Sequence, residues 1–384
     1  MERIDFVLKE HDAMYKKYCN LRVRVAPFRL KEDYEYIKTV SVIDALADRA
    51  YDINAGAKPG VRFDWSGVHY SEDQLFNRAF ELLEALERGE LPLKGKYTEP
   101  GVAFVDHDFI EKDGVMHVFY NRAFVGYDWP ERFVDTFGHA VSTDLVNWKP
   151  CTPVFSAEPN VYDDYQVWSP GFVKHNDEYY MFYTGVNYHV AQAICMAKSK
   201  DLIHWERCEK NPVFIPGKWS PWDENKWSDC RDGMVFKDDD GKFYLYYCTC
   251  KNMPDGRPHS ALGIACSEDL YNWKDCGSIV IPNCEASPES PYVLKHNGKY
   301  YMIFTNCAKG AIAYATSDHP VEGWSVLPDD KNLLCPGCTS EVFSFKGKWY
   351  MSNTIWYPTG EQYLEIAEFI WNEDGTLSVG KWLR

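Results

Sequence analysis

Three copies of one short pattern, Ser-x-Asp-Leu-x-x-Trp, limit what this chain can fold into. They occupy 142–148, 199–205 and 267–273, and a degenerate fourth runs from Ser317 to Trp324. Successive serines stand 57, 68 and 50 positions apart. Self-similarity at such a period marks a solenoid or a ring of blades, in which each unit buries its apolar face only against its neighbours.

A second repeated element decides between the two. Apolar run, tight polar turn and aromatic run recur at 171–183, 234–247, 292–304 and 342–351, with a weaker copy at 109–120. Asn297-Gly298, Asp240-Gly241 and Lys346-Gly347 between β-branched and aromatic runs are hairpin signals. Hairpin, third strand, Ser-x-Asp-Leu-x-x-Trp turn and fourth strand make one antiparallel blade. Five of them close a ring with short protected edges. The expected fold is all-β, a five-bladed β-propeller over residues 98–384, preceded by a mainly helical extension over residues 1–97.

The extension carries helical rather than strand periodicity. Ser71 and Gln74 open an N-terminal capping pattern, followed by apolar Leu75, Phe76, Ala79, Phe80, Leu82, Leu83 and Leu86 and a stop at Gly89. A second helical stretch is expected over 31–51. Fewer than 100 residues with one strong helix offer little core, so the extension should pack on the propeller.

A net charge of −16 with no basic tract excludes nucleic acid and anionic membrane surfaces as partners. The first ten residues are charged where a signal peptide needs an apolar run, and no stretch approaches ~20 apolar residues; a cytoplasmic location is expected. Thirteen cysteines without metal-type spacing are expected as reduced thiols. No nucleotide, haem or flavin motif appears, so neither cofactor nor metal is expected. The 26 Tyr and 14 Trp suit strands and also stacking on sugar rings.

Aligned hairpins make the start of each innermost strand comparable. Asp232 stands nine residues before Gly241, Glu289 nine before Gly298, Trp168 nine before Asp177, and Asp106 eight before Gly114. One Asp beside a strand is usually a turn cap. Three carboxylates converging on one funnel are costly unless used. Paired carboxylates are the equipment of glycoside hydrolysis, one protonating the leaving oxygen while the other attacks the anomeric carbon or activates water.

The segments 137–148, Cys230-Arg-Asp-Gly233 and 289–301 resemble those of the five-bladed β-propeller glycoside hydrolases, both the invertase/levanase-type β-fructosidases and the arabinanase/β-xylosidase/α-arabinofuranosidase type. The resemblance covers roughly residues 98–384. It implies Asp106 as nucleophile or general base, with Asp108 as runner-up, Asp232 as substrate-orienting stabiliser beside Arg231, and Glu289 as general acid. Three departures stand out. Val105-Asp-His-Asp-Phe109 stands where the fructosidases open with Asn-Asp-Pro-Asn-Gly, Gly233 replaces a proline, and no fructosidase-type C-terminal β-sandwich is expected after the fifth hairpin. Trp168 is either a sugar platform or core, and His139 either substrate-side or structural.

The implied activity is removal of a terminal fructosyl, arabinosyl or xylosyl unit from short oligosaccharides. One alternative is phosphorolysis, with Arg122, Arg231 and His139 around the funnel; another is a sugar-binding propeller without catalysis. The extension would either wall the funnel into an exo-acting pocket or serve as a homo-oligomer interface.

Overall fold

The computed structural model describes residues 2–54, 70–127, 132–279, 288–328 and 330–384, with side chains from residue 13 onward except that of Asn54. Helices α1 (Glu2–Val25), α2 (Tyr34–Asn54) and α3 (Glu72–Glu87) form the extension. Ser71 caps α3 as its sequence predicts: the Gln74 N–H donates to Ser71 Oγ at 3.2 Å, and the Ser71 N–H to Gln74 Oε1 at 2.9 Å. Helix α1 is absent from the sequence expectation because charges interrupt most of its length. Packing recruits it instead, with Leu21 and Val25 buried in one cluster with Val40, Ile43, Leu46, Phe76 and Leu83.

The remainder is five sheets of antiparallel strands. Blade 1 holds β1 (Val102–Lys112), β2 (Val115–Phe124), β3 (Thr136–Ser142) and β4 (Lys149–Pro150), with β5 (Phe155–Ser156) also on β3. Blade 2 holds β6 (Gln166–His175), β7 (Glu178–Val186), β8 (Gln192–Ser199) and β9 (Glu206–Arg207). Blade 3 holds β10 (Cys230–Lys237), β11 (Phe243–Asn252), β12 (Pro258–Ser267) and β13 (Lys274–Ile279). Blade 4 holds β14 (Pro288–His296), β15 (Lys299–Asn306), β16 (Ala311–Ser317) and β17 (Leu333–Pro336). Blade 5 holds β18 (Val342–Phe345), β19 (Lys348–Trp356), β20 (Gln362–Trp371) and β21 (Leu377–Trp382). The expected five-bladed propeller is therefore what forms.

The hairpin turns explain the register. Asp113-Gly114, Asn176-Asp177, Asn297-Gly298 and Lys346-Gly347 have positive φ at both residues, the two-residue turn whose twist matches that of the strands. Blade 3 departs, with five residues, 238–242, between β10 and β11. Apolar side chains of adjacent blades interleave, Phe109 of β1 stacking on Phe343 of β18 at 4.5 Å between ring centres. Tyr97, just before β1, exchanges two 2.9 Å backbone hydrogen bonds with Leu364 of β20 and ties the first blade to the last.

The Ser-x-Asp-Leu-x-x-Trp copies are self-satisfied turns after the third strands. Ser142 Oγ accepts from the Leu145 N–H at 2.9 Å, Asp144 Oδ1 from those of Val146 and Asn147 at 2.9 and 2.7 Å, and Trp148 Nε1 donates to the Leu145 carbonyl. Leu145, Leu202 and Leu270 all take left-handed φ, 65°, 69° and 68°. The repeat thus builds blades and carries no chemistry. The twelve described cysteines are free thiols, and Cys284 lies outside the described residues.

Candidate active site

Four innermost strands break register near one end. The β1–β2 ladder skips Asp106, β6–β7 skips Ser169 and Pro170, β10–β11 skips Asp232 and Gly233, and β14–β15 skips Ser290 and Pro291. In blade 5, Thr339 stands ahead of β18. Ser169, Asp232, Ser290 and Thr339 share left-handed φ, from 44° to 56°. Such backbone strain in non-glycine residues persists only where the surroundings enforce it.

Asp106, Ser169, Asp232 and Ser290 at these four breaks, together with Thr339, close a hydrogen-bonded ring about the axis. Thr339 Oγ1 donates to Asp106 Oδ1 at 2.6 Å, and Ser290 Oγ lies 3.2 Å from Thr339 Oγ1. The Ser290 N–H donates to Asp232 Oδ2 at 3.1 Å. Ser169 Oγ lies between the two aspartates, 2.7 Å from Asp232 Oδ1 and 2.9 Å from Asp106 Oδ2. Asn121 Nδ2 adds a 3.2 Å bond to Asp106 Oδ2. The alignment that groups Asp232 with Trp168 and Glu289 is corrected here by one residue. Asp106, Ser169, Ser290 and Thr339 each stand eight residues before the second turn residue, and Asp232 stands nine before because the blade 3 turn is longer.

One residue earlier in each blade stand Val105, Trp168, Arg231, Glu289 and Cys338, and all five line a cavity of about 360 Å³ that also exposes Asp106 and Asp232. The three sequence-predicted acids therefore meet in one cavity, two in the ring and Glu289 beside it. Arg231 NH2 donates to Glu289 Oε1 at 2.8 Å, and NH1 bonds Asp229 Oδ1. Trp168 donates through Nε1 to Gln166 Oε1 at 3.1 Å and presents its ring near Trp227. Burial, then the charge of Asp106, pushes Asp232 up to about 6, against the pull of Arg231.

Two sequence candidates lie elsewhere. His139 is buried within blade 1, 4.4 Å from and parallel to the Phe119 ring, with Nε2 2.9 Å from His117 Nδ1. Burial pushes it down to about 4, so it stays neutral. Asp108 lies below the ring, accepting backbone N–H bonds from Phe109 and Phe172 and facing Glu341, and burial raises both acids. Neither lines the main cavity. Arg122, named for phosphorolysis, is held by Glu99 at 3.1 and 3.2 Å.

The sequence missed Ser169, Ser290 and Thr339, which the eight-residue spacing identifies, and Asn121, Arg132, Gln192 and Gln362, lining residues contributed mostly by strand ends and loops with no repeat signal. It also left open how the extension meets the cavity. Val105, Trp168 and Tyr357 pack against the helical cluster. Arg78 of α3 donates to fully buried Glu361 at 3.0 to 3.2 Å, the residue before Gln362. Among the described residues, no group of three or more His, Cys, Asp or Glu is arranged to hold a metal ion.

The family model described as the glycosyl hydrolases family 32 N-terminal domain matches residues 107–293. A β-xylosidase of Xylanibacter ruminicola is 22% identical over 341 residues, covering 75% of this chain and all of that protein. A 1,2-β-oligomannan phosphorylase of Thermoanaerobacter sp. is 30% identical over 178 residues, 45% of this chain and 52% of its own length. The fold matches the crystal structure of a thermostable family-43 glycoside hydrolase with a TM-score of 0.57 at 21% identity, over 74% of this chain and 95% of that one. With its five blades and its three-acid cavity, the chain is similar to the five-bladed β-propeller glycoside hydrolases, and these likenesses together indicate a glycosidase.

Proposed function

We propose that this glycosidase removes a terminal pentose or furanose unit, xylosyl, arabinosyl or fructosyl, from short oligosaccharides. The observation that carries this is the convergence of Asp106, Asp232 and Glu289 on one cavity. Such a volume suits one or two sugar rings.

Asp106, fixed by Thr339, Asn121 and Ser169, is the nucleophile or general base. Asp232 orients the sugar and stabilises the oxocarbenium-like transition state, and Glu289, steadied by Arg231, protonates the leaving oxygen. Trp168 offers a ring for stacking. Trp168 and Val105 pack against an apolar cluster that the helices of the extension share, and on the proposed reading the extension closes that side and favours release from a chain end over internal cleavage. A cytoplasmic address would suit a substrate imported as a short oligosaccharide.

The test is release of free monosaccharide from β-xylosides, α-arabinofuranosides and β-fructosides, beside Glu289→Gln. Activity on one class that vanishes in the variant supports the proposal; silence on all three refutes it. A second possibility is phosphorolysis, favoured by the similarity to the oligomannan phosphorylase and by Arg132 and Arg231 in the cavity lining. It predicts sugar 1-phosphate as product when phosphate is added and no turnover when it is omitted.

A further inference from the structure

The ring contains a hydroxyl with one proton and two carboxylates to satisfy. Ser169 Oγ is 2.9 Å from Asp106 Oδ2 and 2.7 Å from Asp232 Oδ1, both hydrogen-bond distances. A serine hydroxyl has a single donor and acceptor lone pairs besides. If both aspartates are ionised, one of the two contacts is oxygen lone pair against oxygen lone pair.

We infer that Ser169 is a positioning residue that gives its proton to Asp106 and accepts the proton of a neutral Asp232, so that the two acids work as one acid–carboxylate pair. The hydrogen bonds of the ring fit this direction. Asp232 carries its proton on Oδ1, which leaves Oδ2 to accept from the Ser290 N–H at 3.1 Å, while the one Cys248 thiol proton has both Oδ2 at 3.3 Å and the Pro288 carbonyl at 3.2 Å within reach. On the other side Ser290 Oγ donates to Thr339 Oγ1, whose own proton goes to Asp106 Oδ1. Donors from both arms of the ring thus converge on Asp106. Burial separates the partners in the same sense: Asp232 is buried, while Asp106 is less so.

The charged or titratable groups facing Asp232 are Asp106 from β1, Arg231 from β10, Cys248 from β11 and Glu289 from β14. Burial, Asp106 and Glu289 favour its neutral form; Arg231 opposes it, as Ser169 would if it donated to Asp232, the direction that the inference reverses. While the proton is in place, the floor of the cavity carries one negative charge beneath a bound sugar instead of two, with Asp106 as the charged member.

The inference rests on Asp106 and Asp232 sharing one reacting site, and its test uses no substrate, so its failure is distinct from failure of the proposed activity. The carboxylic-acid C=O band of Asp232, isolated as the infrared difference between the unaltered protein and Asp232→Asn, is followed from about pH 4 to about pH 8. Ser169→Ala and Ser169→Gly are then titrated in the same way; glycine accepts the φ of 47° and covers the case in which alanine does not fold. Loss of the acceptor should let Asp232 ionise at lower pH by about one unit in both variants. A shift to higher pH would mean that Ser169 donates to Asp232, and no shift would mean that it bridges nothing; either overturns the inference.

Discussion

Arg78→Met should strip a buried ion pair from the contact between the helical extension and the propeller. Glu361 is fully buried, takes three contacts from the Arg78 guanidinium at 3.0 to 3.2 Å, and also accepts from Thr359 and Tyr363 hydroxyls at 2.6 Å each. Removing the cation leaves a buried carboxylate supported only by two hydroxyls, at a cost of about 3 kcal/mol, the lower end of the range for breaking a buried pair. Glu361→Gln alone should cost less, about 1 to 2 kcal/mol, because Arg78 keeps its 3.0 Å contact with the exposed Glu81. The double variant should cost about 2 to 3 kcal/mol instead of the roughly 4 to 5 to which the single changes sum, since no unpaired charge remains buried, giving a coupling of about 2 kcal/mol in a double-mutant cycle. Urea unfolding at neutral pH measures all four proteins, and burial predicts little change with added salt. Costs that simply add would refute the buried-pair account. If the pair also positions Gln362, the KM of Arg78→Met should rise more than its kcat falls.

Three further outcomes follow from the same contacts. Native Asp232 holds its proton more tightly than an unfolded aspartate, so its contribution to stability falls as pH rises from about 4 to about 6. Asp232→Asn should therefore be more stable than the unaltered protein at pH 7, by about 1 to 3 kcal/mol, with the difference gone near pH 4; thermal unfolding across pH measures this. Ser199→Ala removes the acceptor of the Leu202 N–H at 2.9 Å and should cost about 1 to 2 kcal/mol without changing KM. His139→Phe, which keeps the stack on Phe119, should leave kcat within about threefold, whereas a large loss would make His139 substrate-side after all.

The fold was legible because it repeats. Hairpins written as Asn-Gly or Lys-Gly and three near-identical Ser-x-Asp-Leu-x-x-Trp turns each report local backbone conformation, and local conformation is what a sequence encodes most directly. The site was legible in its acids and not in their geometry. The five-residue 238–242 turn, against two residues in the other hairpins, moves the turn glycine by one position relative to the ring and was enough to place Asp232 on the wrong level, and the hydroxyls of Ser169, Ser290 and Thr339 look in the sequence like ordinary strand-edge residues. His139 looked functional because a histidine between glycine and alanine attracts attention, yet what fixes it is a ring packed on Phe119 from the adjacent strand. Helix α1 was not legible, since its burial depends on α2 and α3 more than on its own periodicity. The tie from Arg78 to Glu361 spans 283 positions and has no local signature.

The central claim, that Glu289 delivers the proton to the leaving oxygen, is tested most directly by comparing two substrates of one sugar in Glu289→Gln. An oligosaccharide needs the acid, and an aryl glycoside with a good leaving group hardly does. The account predicts that turnover of the oligosaccharide falls about 10² to 10⁴-fold while that of the aryl glycoside stays within about tenfold. Equal losses on both substrates would contradict it and leave Glu289 a binding group.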